Sequence, residues 1–268
     1  MPIDVEMNIR SNTVAVFKQI DWMVMRAAFD SQNYFGKRCD EKVYENDIAE
    51  RLITAGLEKV YTQVPLYVRW RTFSKRYFLD LVVKGVVYEL KALATLTTVH
   101  EAQALNYAAL LEISRIKLIN LGSSSVQGRL QSTVRFDITI SKDAFSPLSE
   151  ACIHLPEHIG CLLNELGGFL SPALYTEALA SEFGGLDHCT RRLPVLRAGK
   201  EFGTHQVLLH DNEVSFFITA LPSNQLINYS KHLMSIYTRL PILGLQWINI
   251  HHTHVQLVTI KGKSHIPI

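Results

Sequence analysis

What this chain of 268 residues lacks narrows its class before any motif is read. No apolar run approaches the roughly 20 residues that a membrane-spanning helix needs. The opening MPIDVEMNIR has no apolar stretch of the kind that drives export. The expected location is therefore cytoplasmic, with no membrane partner. Its 14 glycines and 9 prolines are scattered and form no low-complexity linker. The four cysteines, Cys39, Cys152, Cys161 and Cys189, contain no C-x-x-C pair, which argues against a closed zinc or iron–sulfur site and for reduced thiols. A net charge of +2 and a pI near 8.3 are too mild to define a nucleic-acid binder on their own. A hydrophobic content of 47% is ample for a large core, in one domain or two.

One stretch carries chemistry. Between Tyr77 and Tyr107 two β-rich runs, Tyr77 to Val83 and Val86 to Leu93, are separated only by Lys84 and Gly85, the spacing of a tight hairpin. Val83 then faces Val86. Counting outward, Asp80 lies opposite Glu89, and the period of two puts Lys91 on the Glu89 face. Like charges directly opposed across strands are unfavourable unless a cation lies between them. A hard divalent ion such as Mg²⁺, held by one or two carboxylates plus water and substrate phosphate, fits this pair, with the carbonyl of Leu90 as a further oxygen ligand.

The first third reads as helical. Val14 to Asp30 places apolar residues at helical spacing, and a second helix runs from about Asp40 to Ala55 before Gly56 stops it. On that second helix Glu41 and Glu45 share one face and Tyr44, Ile48 and Leu52 another, so one of the two acids can reach the metal. Ahead of the hairpin, Arg69, Arg71, Lys75 and Arg76 alternate with Trp70, Phe73 and Tyr77, a composition suited to following phosphates and stacking on a base.

Asp followed by Glu-x-Lys on the next strand resembles the PD-(D/E)xK, or restriction-endonuclease-like, nuclease superfamily. Residues 36 to 45, GKRCDEKVYE, resemble the signature of its GxxExxY branch at Glu41 and Tyr44, with Arg38 where that signature has glycine and Gly36 two residues earlier. QVPLYV, residues 63 to 68, is similar to the family's first strand. VHEAQALNY, residues 99 to 107, is similar to its H-x-x-Q helix and fits Q-x-x-x-Y at Gln103 and Tyr107. The resemblance covers about residues 30 to 125. It implies an α/β, restriction-endonuclease-like mixed sheet flanked by helices. It also implies a Mg²⁺-dependent nuclease, with Mn²⁺ as substitute, acting on nucleic acid, DNA first, and it leaves a homodimer open. The expected metal ligands are Asp80, Glu89, the Leu90 carbonyl and Glu45 or Glu41. Lys91 is expected to orient or deprotonate water and offset charge, while Gln103 and Tyr107 hold a water or a phosphate oxygen. His100, at a helix start, is expected to be structural. The alternative is a fold kept for binding without turnover.

The second half repeats the first in part. Gln103-x-x-Asn106-Tyr107 returns as Gln225-x-x-Asn228-Tyr229, Ile119-Asn120 as Ile248-Asn249, and Val126-Gln127 as Val255-Gln256. Two runs flanking Asp211-Asn212 mirror the hairpin, with Phe217 in place of Glu89, Thr219 in place of Lys91, and the counterpart of Asp80 near Gln206. The expected organisation is a metal-competent domain over residues 1–145 and a degenerate copy over 146–268. His251, His252 and His254 read as turn residues, alternation placing His252 and His254 on one face.

Overall fold

The computed structural model describes residues 3–9, 11–132 and 138–262. The chain divides into two compact units, one of residues 1–69 and 74–135, the other of residues 70–73 and 136–268.

In the first unit, β1 (Ile3–Val5) is followed by two helices, α1 (Val14–Phe35) and α2 (Glu41–Thr54). Thr13 caps α1 by accepting from the Val16 amide at 3.3 Å. Phe17, Ile20, Val24, Ala27, Ala28 and Ser31 form its buried stripe. The helix runs five residues past the expected Asp30 and stops at Gly36, whose φ of 77° suits glycine. α2 buries Tyr44, Ile48 and Leu52 as the spacing predicts.

A sheet in the order β1-β2-β3-β4-β5-β6 follows, with β2 (Val60–Trp70), β3 (Phe73–Val83), β4 (Val86–Lys91), β5 (Arg115–Asn120) and β6 (Gln127–Ser132). The sequence reads as a strand from Val126 to Val134; β6 covers Gln127–Ser132, and residues 133 and 134 lie outside the described residues. Lys84 and Gly85 turn with φ of 48° and 82°, the left-handed pair that matches strand twist. Val83 faces Val86, as expected, and the register continues through Val82–Val87 and Leu81–Tyr88. From β4 the chain crosses through α3 (Thr98–Leu110) to β5, which pairs with β4 in parallel. Leu81, Val83, Val86, Tyr88 and Leu90 join Tyr44, Ile48 and the α1 stripe in one apolar core.

The second unit opens with β7 (Thr139–Ala144), then α4 (Leu155–Leu166), α5 (Pro172–Ser181) and the short α6 (Leu186–Cys189). It continues with β8 (Thr190–Arg197), β9 (Lys200–Leu209), β10 (Val214–Thr219), α7 (Leu226–Tyr237), β11 (Gly244–His251) and β12 (His254–Lys261). Its sheet runs β7-β12-β11-β10-β9-β8. The division of the chain falls earlier than the expected 145/146, because Thr139–Ala144 pairs with β12 and so belongs to the second sheet.

Each unit thus has a helix pair, a β-meander, a parallel crossover and a closing hairpin. Particular side chains recur in place. Tyr44 donates to the Gly36 carbonyl at 2.6 Å and accepts from the Cys39 amide, and Tyr175 does the same with Gly167 and Leu170. The amide of Asn120 brackets the Leu93 backbone, accepting at 3.0 Å and donating at 2.8 Å; that of Asn249 brackets Leu221 at 2.7 and 3.0 Å. Asn120 faces Gln127 and Asn249 faces Gln256. Two mixed sheets of this kind, flanked by helices, are consistent with the restriction-endonuclease-like fold and fit a duplication.

Two expected matches fall out of step. Gln103 lies inside α3, whereas Gln225 lies in the 3₁₀ turn before α7. Extending the pairing of Phe216 with Leu208 makes Val207, one residue from Gln206, the counterpart of Asp80. His251 pairs with His254 across the closing hairpin, so those two share a face.

Candidate active site

The β3–β4 hairpin ends in an acidic cluster. Asp80 is 8% exposed and Glu89 1%. The Asp80 carboxylate takes the Leu90 amide at 2.8 Å, closing the hairpin with a side chain in place of a main-chain carbonyl. Lys91 turns back over its own strand. Its ammonium lies 2.7 Å from Glu89, 2.8 Å from the Leu90 carbonyl, 3.7 Å from Glu41 and 3.9 Å from Asp80. The position where sequence geometry demands a cation is therefore held by an ammonium group.

The helix pair supplies the remaining acids. Glu41, 38% exposed along its side chain, faces Lys91. Glu45 is 1% exposed; one oxygen pairs with Lys42 and the other accepts from Gln63 Nε2 at 2.5 Å. Gln63 adopts a φ of 51° within β2, an unusual conformation for a residue with a side chain. It and Asn120, which fixes the chain leaving β4, are contributors that sequence reasoning missed. Both were visible only as a strand start and as a repeat match.

Burial, reinforced by the neighbouring Asp80, pushes the Glu89 carboxyl up to about 8 against the opposing pull of Lys91. Burial also raises Asp80, opposed by the Leu90 amide and Lys91, and raises Glu41, opposed by Lys91. For Lys91 burial pulls downward, yet Glu89, Asp80 and Glu41 outweigh it and hold its pKa above the usual lysine value. Glu89 Oε2 is buried with no hydrogen-bond partner. An acceptor left bare inside a crowd of carboxylates, with a backbone carbonyl beside it, is a donor set suited to a hard divalent cation. Asp80, Glu89 and the Leu90 carbonyl would hold such an ion, with Glu45 or Glu41 completing its oxygen shell.

From α3, Gln103 donates to the Tyr107 hydroxyl at 3.3 Å. Burial raises the Tyr107 phenol and the Gln103 amide opposes it, while the charges of Glu89 and Asp80 add a smaller push that marks its nearness to the cluster. Tyr77 packs edge-on against Tyr107 at 5.7 Å, and Lys75 lies over the Tyr77 ring. His100 closes a capping box with Thr97, the structural role expected of it.

The basic segment is less open than expected. Trp70 is 1% exposed and Phe73 is buried, so neither ring is free to stack on a base. The alternation of basic and aromatic residues turns the aromatics inward there. Arg69 lies over Tyr67 and 3.5 Å from Asp4; Arg71 pairs with Glu182; Arg76 lies over Phe78.

In the second unit the register places Val207, Phe217 and Thr219 where Asp80, Glu89 and Lys91 stand, and Pro172 and Thr176 flank Tyr175 as Glu41 and Glu45 flank Tyr44. Trp247 fills the space, donating its indole N–H to Thr219 at 2.8 Å, while Thr219 donates to Asn249 at 2.8 Å. Tyr229 packs between Phe217 and Trp247.

Residues 18–133 match the family model described as the PD-(D/E)XK nuclease superfamily. The match spans less than half of the chain but contains Glu41, Glu45, Gln63, Asp80, Glu89, Lys91, Gln103 and Tyr107. It supports a nuclease domain of that superfamily in the first unit, a class of phosphodiesterases that generally uses divalent metal ions. No curated protein and no solved structure gives a significant match. No described helix is long and apolar enough to cross a membrane.

Proposed function

We propose that the first unit is a Mg²⁺-dependent nuclease of the GxxExxY branch that hydrolyses phosphodiester bonds in DNA, and that the second unit is a degenerate copy kept for its scaffold. The observation that carries this reading is the buried, partnerless Glu89 oxygen beside Asp80 and Lys91. When bound, a divalent cation supplies polarisation of a phosphoryl oxygen. The chain's own residues do the rest. Lys91, whose pKa the neighbouring Glu89, Asp80 and Glu41 hold above the usual lysine value, offsets negative charge growing on phosphorus rather than serving as a free base. Gln103, tied to Tyr107, presents its amide to a water or phosphate oxygen. Gln63 holds Glu45 in place. Lys75, Arg69 and Arg76, each over an aromatic ring, provide charge along the approach. The branch assignment is supported by the Gly36–Tyr44 bond, which sets the start of α2 and thereby the place of Glu41.

The test is cleavage of single- and double-stranded DNA and RNA with Mg²⁺, with Mn²⁺ and with chelator. DNA cleavage that needs the ion and disappears in Asp80→Asn and Lys91→Met is the expected result. A folded wild-type protein that binds nucleic acid yet leaves every substrate intact would establish a binding scaffold instead.

A further inference from the structure

The second unit has its own concentration of metal-ligand chemistry, at the opposite end of β10 from Thr219. In the β9–β10 loop His210 and Asp211 meet Cys152, which precedes α4, with one ligand atom from each within 4.8 Å of the others. Both ring nitrogens of His210 are buried without a hydrogen-bond partner. A neutral imidazole carries one N–H and one lone pair, so a dry environment leaves at least one of them unsatisfied. The Nδ1 of His158 on α4 is likewise buried and without a partner. The Phe183 ring lies 4.0 Å from the His210 ring and 6.4 Å from that of His158.

Asp211 is fixed in advance. One oxygen accepts from the amides of Glu213 at 2.8 Å and Val214 at 2.7 Å; the other accepts from the Ser149 hydroxyl at 2.6 Å. Ser149 also lies 3.4 Å from the Cys152 sulfur. Hydrogen bonds that orient a ligand from behind are characteristic of metal centres. Cys152 is 0% exposed, which rules out a nucleophile for an external substrate, and among the described residues no second cysteine lies in the group.

We propose that Cys152, His210 and Asp211 form a structural Zn²⁺ site. A soft thiolate and a borderline imidazole beside one carboxylate make a donor set that zinc accepts and Mg²⁺ does not. The ion ties the β9–β10 loop to the segment leading into α4, a clip for a unit whose counterpart of the first acidic cluster is filled by aromatic rings.

The full chain, stripped with chelator, is titrated with Co²⁺ and with Zn²⁺. The expected result is a thiolate-to-cobalt charge-transfer band, displaced by one equivalent of Zn²⁺. The band is absent in Cys152→Ser, and Zn²⁺ affinity falls at least ~100-fold in Asp211→Asn, which keeps an acceptor for the Glu213 and Val214 amides and so should fold. Combined Asp80→Asn and Glu89→Gln leave the thiolate-to-cobalt band intact, separating this site from the nuclease cluster. Far-UV circular dichroism confirms that each variant is folded. A wild-type chain that takes up no cobalt, or a band that survives Cys152→Ser in folded protein, would overturn the proposal.

Discussion

Replacing Glu89 with glutamine in metal-free protein should reverse its effect on stability with pH. In the folded chain the Glu89 carboxyl is pushed from near 4.5 up to about 8 by burial and by Asp80. The folded state therefore holds a proton that the unfolded state releases between those two values. Stability contributed by this proton is complete below about pH 4.5 and is lost as pH rises toward about 8. At about 1.4 kcal/mol per unit, the loss over the whole interval is on the order of 5 kcal/mol. The amide introduced by Glu89→Gln cannot ionise, so the variant escapes it. Urea unfolding in chelator, followed by hydrogen exchange of β3 and β4 peptides, should show the two proteins alike near pH 5 and Glu89→Gln more stable by several kcal/mol near pH 9. A difference that does not change with pH, or a variant that is less stable at pH 9, would refute the electrostatic reading of the cluster.

Lys91→Met should lower the cleavage rate by at least ~100-fold in saturating Mg²⁺, since it removes the charge aimed at the phosphate while keeping the bulk of the stem. Gln63→Ala should cost about tenfold in turnover, measured at saturating metal, by freeing Glu45. Tyr44→Phe removes the hydroxyl that serves both Gly36 and Cys39 and should cost roughly 1–3 kcal/mol in denaturant titration. Gly122→Ala places a methyl group against the backbone of Ala92 and Leu93 and should lower stability by about 3 kcal/mol, read as a depressed melting temperature.

The first unit was legible where local rules decide. A two-residue turn leaves one register open to the hairpin, so the alignment of Asp80 with Glu89 can be counted from the sequence alone. Helical spacing puts Glu41 and Glu45 on one face of α2, and Lys91 lies 3.7 Å from Glu41. Other features depended on partners far away in the chain. Whether Trp70 faces core or solvent depends on what packs against β2, and an alternating basic and aromatic pattern reads the same either way. The left-handed turn of Gln63 has no residue-type signal, because glycine, the usual marker, is absent there. In the second half, α4, α5 and the packing of Trp247 against Thr219 carry no signal in the sequence. A tryptophan in an apolar strand looks like ordinary core until the strand beside it is known to hold Thr219. The grouping of Cys152 with His210 and Asp211 spans nearly sixty residues of sequence and shows no ligand spacing at all.

Because Lys91 is tethered next to the acids it neutralises, the newly made chain brings its own counterion. The polypeptide can mature without waiting for a scarce ion. A dication held there would take the place of the Lys91 ammonium beside Glu89, Asp80 and Glu41.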